Sequence, residues 1–204
     1  MVVIIDYGMG NLRSVEKAAL SFGAKVKVTD SPAVIKRAKK IVFPGVGHFA
    51  SAVKELIKRK VFTLLKKRIK EGVPFLGICL GMQLLLDESE EARNVKGLGI
   101  IPGQVRKFKL NNLVVPHMGW NTVKYGKLIP NTENLFKSVK DNSYFYFAHS
   151  YYCKPLNNKV VFAATDYGIQ FASVLHKDNV WAVQFHPEKS QKLGLRVFDN
   201  FLKQ

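Results

Sequence analysis

The apolar positions of this chain begin as short solid runs and continue at helical spacing. Val2, Val3, Ile4 and Ile5 form a run with no polar position on either face, which predicts a strand buried on both sides. Leu12, Val15, Ala19 and Phe22 then recur at the spacing of a helix, with Asn11 placed as its N-cap and exposed at the rim. The alternation continues with a strand at Lys25–Val28, a helix opened by Ser31 and Pro32, and a strand at Lys40–Phe43. Two helices follow, one around Val53, Leu56 and Ile57 and one carrying Val61, Leu65 and Ile69, closing at Gly72 before a strand at Phe75–Ile78. Strands and helices in such regular alternation predict an α/β layer with a largely parallel sheet. Active groups then gather at the carboxyl ends of the strands, where Gly8, Gly45 and Cys79 fall.

From about Gly97 the texture changes to short strands and turns. Strands are expected at Gln104–Phe108, Leu113–Val115, Trp120–Val123, Tyr144–Phe147, Val160–Ala164, Gln170–Leu175 and Val180–Phe185, with a compact, turn-like stretch at Pro116–Asn121. Leu193, Val197, Phe198, Phe201 and Leu202 at helical spacing predict a closing helix packed on the core. With no repeat and no linker, the 204 residues are expected to form a single domain.

Candidate chemistry centres on Gly77-Ile78-Cys79-Leu80-Gly81, between the Phe75 strand and an apolar stretch, Met82–Leu86, that reads as the start of a helix. Gly-x-Cys-x-Gly is the thiol form of a nucleophile elbow, a sharp strand-to-helix turn with the nucleophile at its apex. The glycines relieve crowding at a strained backbone, and the helix N-terminus favours thiolate over thiol. A buried structural cysteine beside two packing glycines is the alternative. Gly45-Val46-Gly47, just after a strand, is either a tight turn or a set of N–H groups aimed at an oxyanion. The strand Val180–Phe185 runs directly into His186-Pro187-Glu188, so a Cys–His–acid set is complete: Glu188 would orient the His186 ring, which would draw the proton from Cys79. Gly8 and Gly10 hint at a dinucleotide loop, but Arg13 stands where its third glycine belongs. His48, His117, His149 and His176 show no ligand spacing, so neither a metal nor another cofactor is expected.

Composition narrows the partners. A net charge of +17 admits nucleic acid, an anionic membrane surface or an acidic partner. The excess is spread along the chain, however, and its densest patches, Lys36-Arg37-Ala38-Lys39-Lys40 and Lys66-Lys67-Arg68, fall on or beside amphipathic helices without interleaved aromatics. A nucleic-acid partner is therefore not expected, and no apolar run approaches the roughly 18 residues of a membrane span. The opening MVVIID is too short and too soon acidic for a signal peptide, and Cys79 and Cys153 form no disulfide framework, so a cytoplasmic setting is expected.

GICLGMQ (77–83) and FHPEKS (185–190) are similar to the elbow and His/Glu motifs of the class I (triad) glutamine amidotransferases. FPGVGHF (43–49), PHMGWN (116–121) and DYGMGN (6–11) resemble, within that family, the glutaminase branch of imidazole glycerol phosphate synthase in histidine biosynthesis. The resemblance runs from Val2 to the closing helix. It implies a doubly wound α/β fold with a mostly parallel central sheet, flanking helices and extra antiparallel strands in the second half. It also implies hydrolysis of glutamine to glutamate and ammonia by Cys79, His186 and Glu188. The oxyanion would be held by N–H groups at Leu80 and in the Gly45, Val46 and Gly47 loop. Substrate contacts would come from Gln83, Glu91, His149, Ser150 and Tyr151. The implied partner is a separate (β/α)8 cyclase, met by Asn11, Trp120, Tyr146 and Lys189, that combines the ammonia with a phosphorylated ribulosyl aminoimidazole carboxamide. The alternatives are a glutaminase subunit serving anthranilate, pyridoxal phosphate or purine synthesis, an elbow-cysteine hydrolase outside the amidotransferases, and a non-catalytic basic binding module.

Overall fold

The computed structural model of the chain describes residues 1–125 and 135–204. Its first half alternates strand and helix: β1 (Val2–Ile5), α1 (Leu12–Ser21), β2 (Val26–Thr29), α2 (Pro32–Ile35), β3 (Lys40–Gly45), α3 (Phe49–Lys58), α4 (Phe62–Lys70), β4 (Phe75–Cys79) and α5 (Leu80–Gln83). The second half is strand-rich: β5 (Glu88–Ser89), β6 (Ala92–Lys96), β7 (Gly103–Lys107), β8 (His117–Val123), β9 (Ser143–His149), β10 (Tyr151–Pro155), β11 (Val161–Asp166), β12 (Gln170–Lys177) and β13 (Val180–Val183), before the closing α6 (Gln191–Lys203).

The sheet runs β2-β1-β3-β4-β13-β12-β10-β7-β5-β6, with β11 paired to β12. Its centre, from β2 to β13, is parallel, as expected for a doubly wound layer. Beyond β13 the pairing turns antiparallel through β12, β10 and β7. The solid apolar runs are explained by cover on both faces. Val3 and Ile5, with Phe43 and Phe75, pack under α3 and α4 through Ala52, Leu56 and Leu65. Val2 and Ile4, with Val42, Leu76 and Ile78, pack on the other face under Val15 and Ala19 of α1 and Val197, Phe198 and Phe201 of α6. Each such aliphatic side chain, fully buried, is worth roughly 1.5–3 kcal/mol. The alternation of faces thus ties β1 to helices on both sides, and with them the carboxyl end where the site lies.

Four sequence expectations are corrected. The stretch after Cys79 makes only one helical turn, because Leu84, Leu85 and Leu86 leave it for a tight turn toward β5. Leu113–Val115 is not a strand; it has no ladder partner, and Val114 is 77% exposed. Pro116–Asn121 is not turn-like: from His117 it is strand, paired residue by residue with β9. Ile57, expected on the buried face of α3, is 58% exposed, since that helix buries Phe49, Ala52, Val53 and Leu56 instead. The antiparallel texture also begins earlier than Gly97, at Glu88, and β5, β6 and β10 carry no clear alternation in the sequence.

Candidate functional site

Cys79 closes β4 at the N-cap position of α5 with φ +54° and ψ −109°. A residue with a Cβ held at positive φ carries roughly 1–3 kcal/mol of strain, which the surrounding packing must enforce. Backbone proximity does so here. A Cβ on Gly81 would lie 1.9 Å from the Phe43 carbonyl oxygen, and one on Gly77 would lie 2.9 Å from the Gly81 oxygen. The end of β3 therefore touches the elbow main chain to main chain, and Gly45 stands in register with Cys79.

β13 pairs in parallel with β4 on the opposite side from β3, Val183 beside Ile78, so His186 leaves the sheet one strand over from Cys79. His186 Nδ1 lies 2.9 Å from Glu188 Oε1, and both side chains are buried. Burial by itself disfavours the imidazolium. The negative charge of the Cys79 sulfur and a hydrogen bond to it, then the bond and charge of Glu188, outweigh that cost and raise His186 to about 10. The His186 main chain is held as well: its backbone N–H donates to the Tyr146 carbonyl of β9 at 2.9 Å, and Ser190 Oγ donates to its carbonyl at 2.6 Å.

Beside the sulfur opens a cleft of about 230 Å³ lined by Val46, Gly47, Cys79, Leu80, Gln83, Glu91, Pro116, Met118, Ala148, His149, Ser150 and Tyr151. Every predicted substrate residue lies on this wall, as do Val46, Gly47 and Leu80; Gly45 is buried in β3 directly behind. Glu91 Oε2 accepts the Phe49 N–H at 2.7 Å, so this carboxylate also caps the start of α3. Gln83 points its amide nitrogen inward, to the Tyr151 carbonyl at 3.0 Å and to Gln184 Oε1 at 3.2 Å. His149 Nδ1 lies 2.7 Å from the same carbonyl, and its Nε2 lies 3.1 Å from His117 Nδ1. Burial lowers His149 to about 3 and His117 to about 4, so both rings are neutral near pH 7.

The residues expected at a partner surface divide. Trp120 and Tyr146 face each other across the β8–β9 ladder with ring centroids 6.1 Å apart, and Lys189 Nζ sits 5.8 Å from the Tyr146 ring. Asn11 occupies the N-cap position of α1 without capping it through its side chain; α1 packs on the Pro187–Lys189 turn that carries Lys189. Trp120 is 46% and Tyr144 60% exposed, beside an open groove of about 800 Å³ that continues to Leu193 and Leu195. Among the described residues no group of three or more His, Cys, Asp or Glu side chains is placed to hold a metal ion.

The sequence reading missed Gln184, Ser190 and Asn121, and it had no part for His117 beyond excluding a metal. A signal existed for Gln184. It is the one polar residue in Val180–Phe185, and a fully buried amide must find partners.

The glutamine amidotransferase class-I family pattern matches residues 3–204. The imidazole glycerol phosphate synthase subunit HisH of Methanocaldococcus jannaschii is 50% identical over 203 residues, covering 100% of this chain and 99% of that protein. The subunit of the same name from Synechocystis sp. is 48% identical over 204 residues, covering 99% and 95%. Among solved structures, a glutamine amidotransferase crystal structure superposes with a TM-score of 0.76 at 20% identity and complete coverage of both chains. A chain of PurLQS from Thermotoga maritima gives 0.70 at 16% identity, covering 99% and 97%, so the fold is shared well beyond close relatives. On the elbow, the buried His–Glu pair and these matches over the full length, the chain belongs to the class-I glutamine amidotransferases.

Proposed function

We propose that this chain hydrolyses glutamine to glutamate and ammonia through Cys79, His186 and Glu188, as the glutaminase subunit of an imidazole glycerol phosphate synthase in histidine biosynthesis. The observation that carries the reading is the Cys79 sulfur on its positive-φ elbow, facing the buried ring of His186, whose Nδ1 is 2.9 Å from Glu188 Oε1. The relatives 45–50% identical over nearly the whole chain, each an imidazole glycerol phosphate synthase subunit HisH, support the particular subunit.

The thiolate attacks the side-chain carboxamide carbon of glutamine in the cleft. The tetrahedral oxyanion is met by N–H groups at Leu80 and in the Gly45–Gly47 loop, where preorganised donors gain most of their effect. His186 gives its proton to the departing ammonia and leaves a thioester on Cys79. The now neutral ring takes a proton from water, the hydroxide cleaves the thioester, and glutamate leaves. Glu188 holds the ring in place through both halves. Gln83, Glu91, His149, Ser150 and Tyr151 shape the pocket for the amino-acid end of the substrate.

Ammonia released into water near neutral pH would be protonated and lost as a nucleophile, so the reading requires an acceptor enzyme docked on this chain. Within the proposal all 204 residues form a single glutaminase domain, leaving the acceptor chemistry to a (β/α)8 cyclase. The cyclase turns the ammonia and a phosphorylated ribulosyl aminoimidazole carboxamide into imidazole glycerol phosphate and an aminoimidazole carboxamide ribotide. Support for the docking face is the exposed Trp120 and Tyr144, with the half-buried Tyr146 between Trp120 and Lys189; Tyr and Trp at the surface suit a subunit interface. The setting proposed is cytoplasmic. Among the described residues no helix is long and apolar enough to cross a membrane.

A glutamine-like diazoketone tests the chemistry directly. It should label Cys79 in one-to-one ratio and leave Cys153, which does not line the cleft, untouched. Labelling elsewhere, or labelling that free glutamine does not slow, would contradict the assignment.

A further inference from the structure

The polar groups behind the cleft form one continuous chain, and its polarity can be worked out atom by atom. Asn121 Nδ2 lies 2.8 Å from the Asp166 carbonyl, while its Oδ1 accepts the Thr122 N–H at 2.7 Å, so the amide's orientation is fixed by main-chain groups. Its nitrogen also lies 3.3 Å from His117 Nε2, which must then accept. A neutral ring that accepts at one nitrogen donates from the other, so His117 Nδ1–H points at His149 Nε2. His149 in turn donates from Nδ1 to the Tyr151 carbonyl.

The same carbonyl orients the second half. A carbonyl only accepts, so Gln83 must turn its NH₂ toward Tyr151, as it does at 3.0 Å. That NH₂ also reaches Gln184 at 3.2 Å, which must therefore present its oxygen. The remaining Gln184 group, its own NH₂, then faces Cys79 Sγ at 3.6 Å. The Asp166 carbonyl thus fixes the tautomers of His117 and His149, and the Tyr151 carbonyl fixes Gln83 and Gln184 with a donor aimed at the sulfur.

We propose, on the reading that Cys79 is the nucleophile, that Gln184 is a further catalytic residue whose amide N–H stabilises the Cys79 thiolate. Gln83 is a positioning residue that keeps this donor from turning, and His149, His117 and Asn121 position the Tyr151 carbonyl that orients Gln83. A flipped Gln184 would offer the sulfur an oxygen and favour the thiol. The chain also gives Gln83 a task apart from substrate contact, because both of its described amide bonds run inward to Tyr151 and Gln184.

Other groups that face the sulfur act alongside. His186, backed by Glu188, stands across from it, and the Tyr7 hydroxyl and the Cys153 thiol interact with its charge from β1's end and from β10. His149 and Glu91 line the same cleft. The contribution of Gln184 is therefore read as a difference between variants that leave all of these in place.

The test is the rate at which iodoacetamide alkylates Cys79 in the full chain as a function of pH, for wild type, Gln184→Met, Gln184→Glu and His117→Phe, beside kcat and KM for glutamine. The Met variant removes the donor and should move the alkylation midpoint up by about one pH unit, a tenfold change in thiolate at fixed pH. The Glu variant, with acceptors only, should move it at least as far and lower kcat more than it raises KM. His117→Phe keeps an aromatic ring in place and should shift the midpoint in the same direction by less. Midpoints that superpose on wild type in the Gln184 variants, with KM alone raised, would overturn the proposal. Should Gln184→Met fail to fold, the near-isosteric Gln184→Glu decides. If wild-type Cys79 itself reacts like an ordinary thiol, the nucleophile reading fails rather than this one.

Discussion

Gly81 and Cys79 make opposite demands on one turn of backbone. Cys79 is strained at positive φ, and the contact that holds it there is the approach of Gly81 to the Phe43 carbonyl, which a single methyl would block at 1.9 Å. Gly81→Ala must therefore move main chain, in a region with no flexible side chain to give way. The expected cost is on the order of 2–4 kcal/mol with loss of activity, read by urea unfolding and ammonia release. A variant of wild-type stability would mean that the elbow is looser than these distances imply. The buried histidines supply a second residue-level expectation. His117 and His149 lie far below their ordinary 6.5 because burial opposes the charge. As pH falls below 6.5 the unfolded chain binds their protons first, so stability present at pH 7 is lost progressively on the way to about pH 4, by on the order of 3 kcal/mol for each ring. His117→Phe should flatten that slope in denaturant titrations between pH 7 and 4; an unchanged slope would count against burial as its cause. At this scale Cys79, His186 and Glu188 were legible because motif and strand end coincide. Gln184 and Asn121 were not, because their importance lies in which atom faces which, and spacing carries no such information.

Elements decide where those residues meet. The parallel register of β4 between β3 and β13 brings Gly45, Cys79 and His186 to one end of the sheet, in agreement with the rule for carboxyl ends of strands. The β8–β9 hairpin does more than the sequence suggested. Its β9 main chain is bonded to His186 and Ser190, its strands carry His117, Asn121 and His149, and Trp120 and Tyr146 meet edge to face on it. One ladder thus connects the proposed partner face with His186. Trp120→Ala should weaken pairing with the cyclase by about 2 kcal/mol, roughly thirtyfold in Kd, as expected for a central aromatic at an interface. Titration calorimetry would show it, and an unchanged Kd would remove Trp120 from the docking surface. The hairpin was hard to foresee because glycine and polar residues in His117–Asn121 hide its alternation, and its pairing runs from Val123 with Ser143 to His117 with His149, far along the chain. Leu113–Val115 misled in the opposite way: β-branched and apolar, yet with no strand beside it to pair.

For the molecule as a whole, the sequence carried the centre of the sheet better than its periphery. Strands buried on both faces must be solidly apolar, as β1, β3 and β4 are, and such runs announce themselves. The extension through β10, β7, β5 and β6, antiparallel except between β7 and β5, is half-exposed and short, so its signal is weak; β5 has only two residues. The helix layers followed from periodicity, with Phe22, Ile57 and Leu193 the exceptions because a surface apolar residue can share the spacing of a core one. At this scale the account makes one chemical claim, that the chain releases ammonia from glutamine for a docked cyclase. The most direct measurement is ammonia and glutamate production from glutamine by this chain, alone and with a (β/α)8 cyclase and its nucleotide ligand, beside Cys79→Ala. The account predicts equal amounts of both products, a large rise when cyclase and ligand are added together, and no turnover in the variant. Turnover that survives Cys79→Ala, or none in any combination, would contradict it.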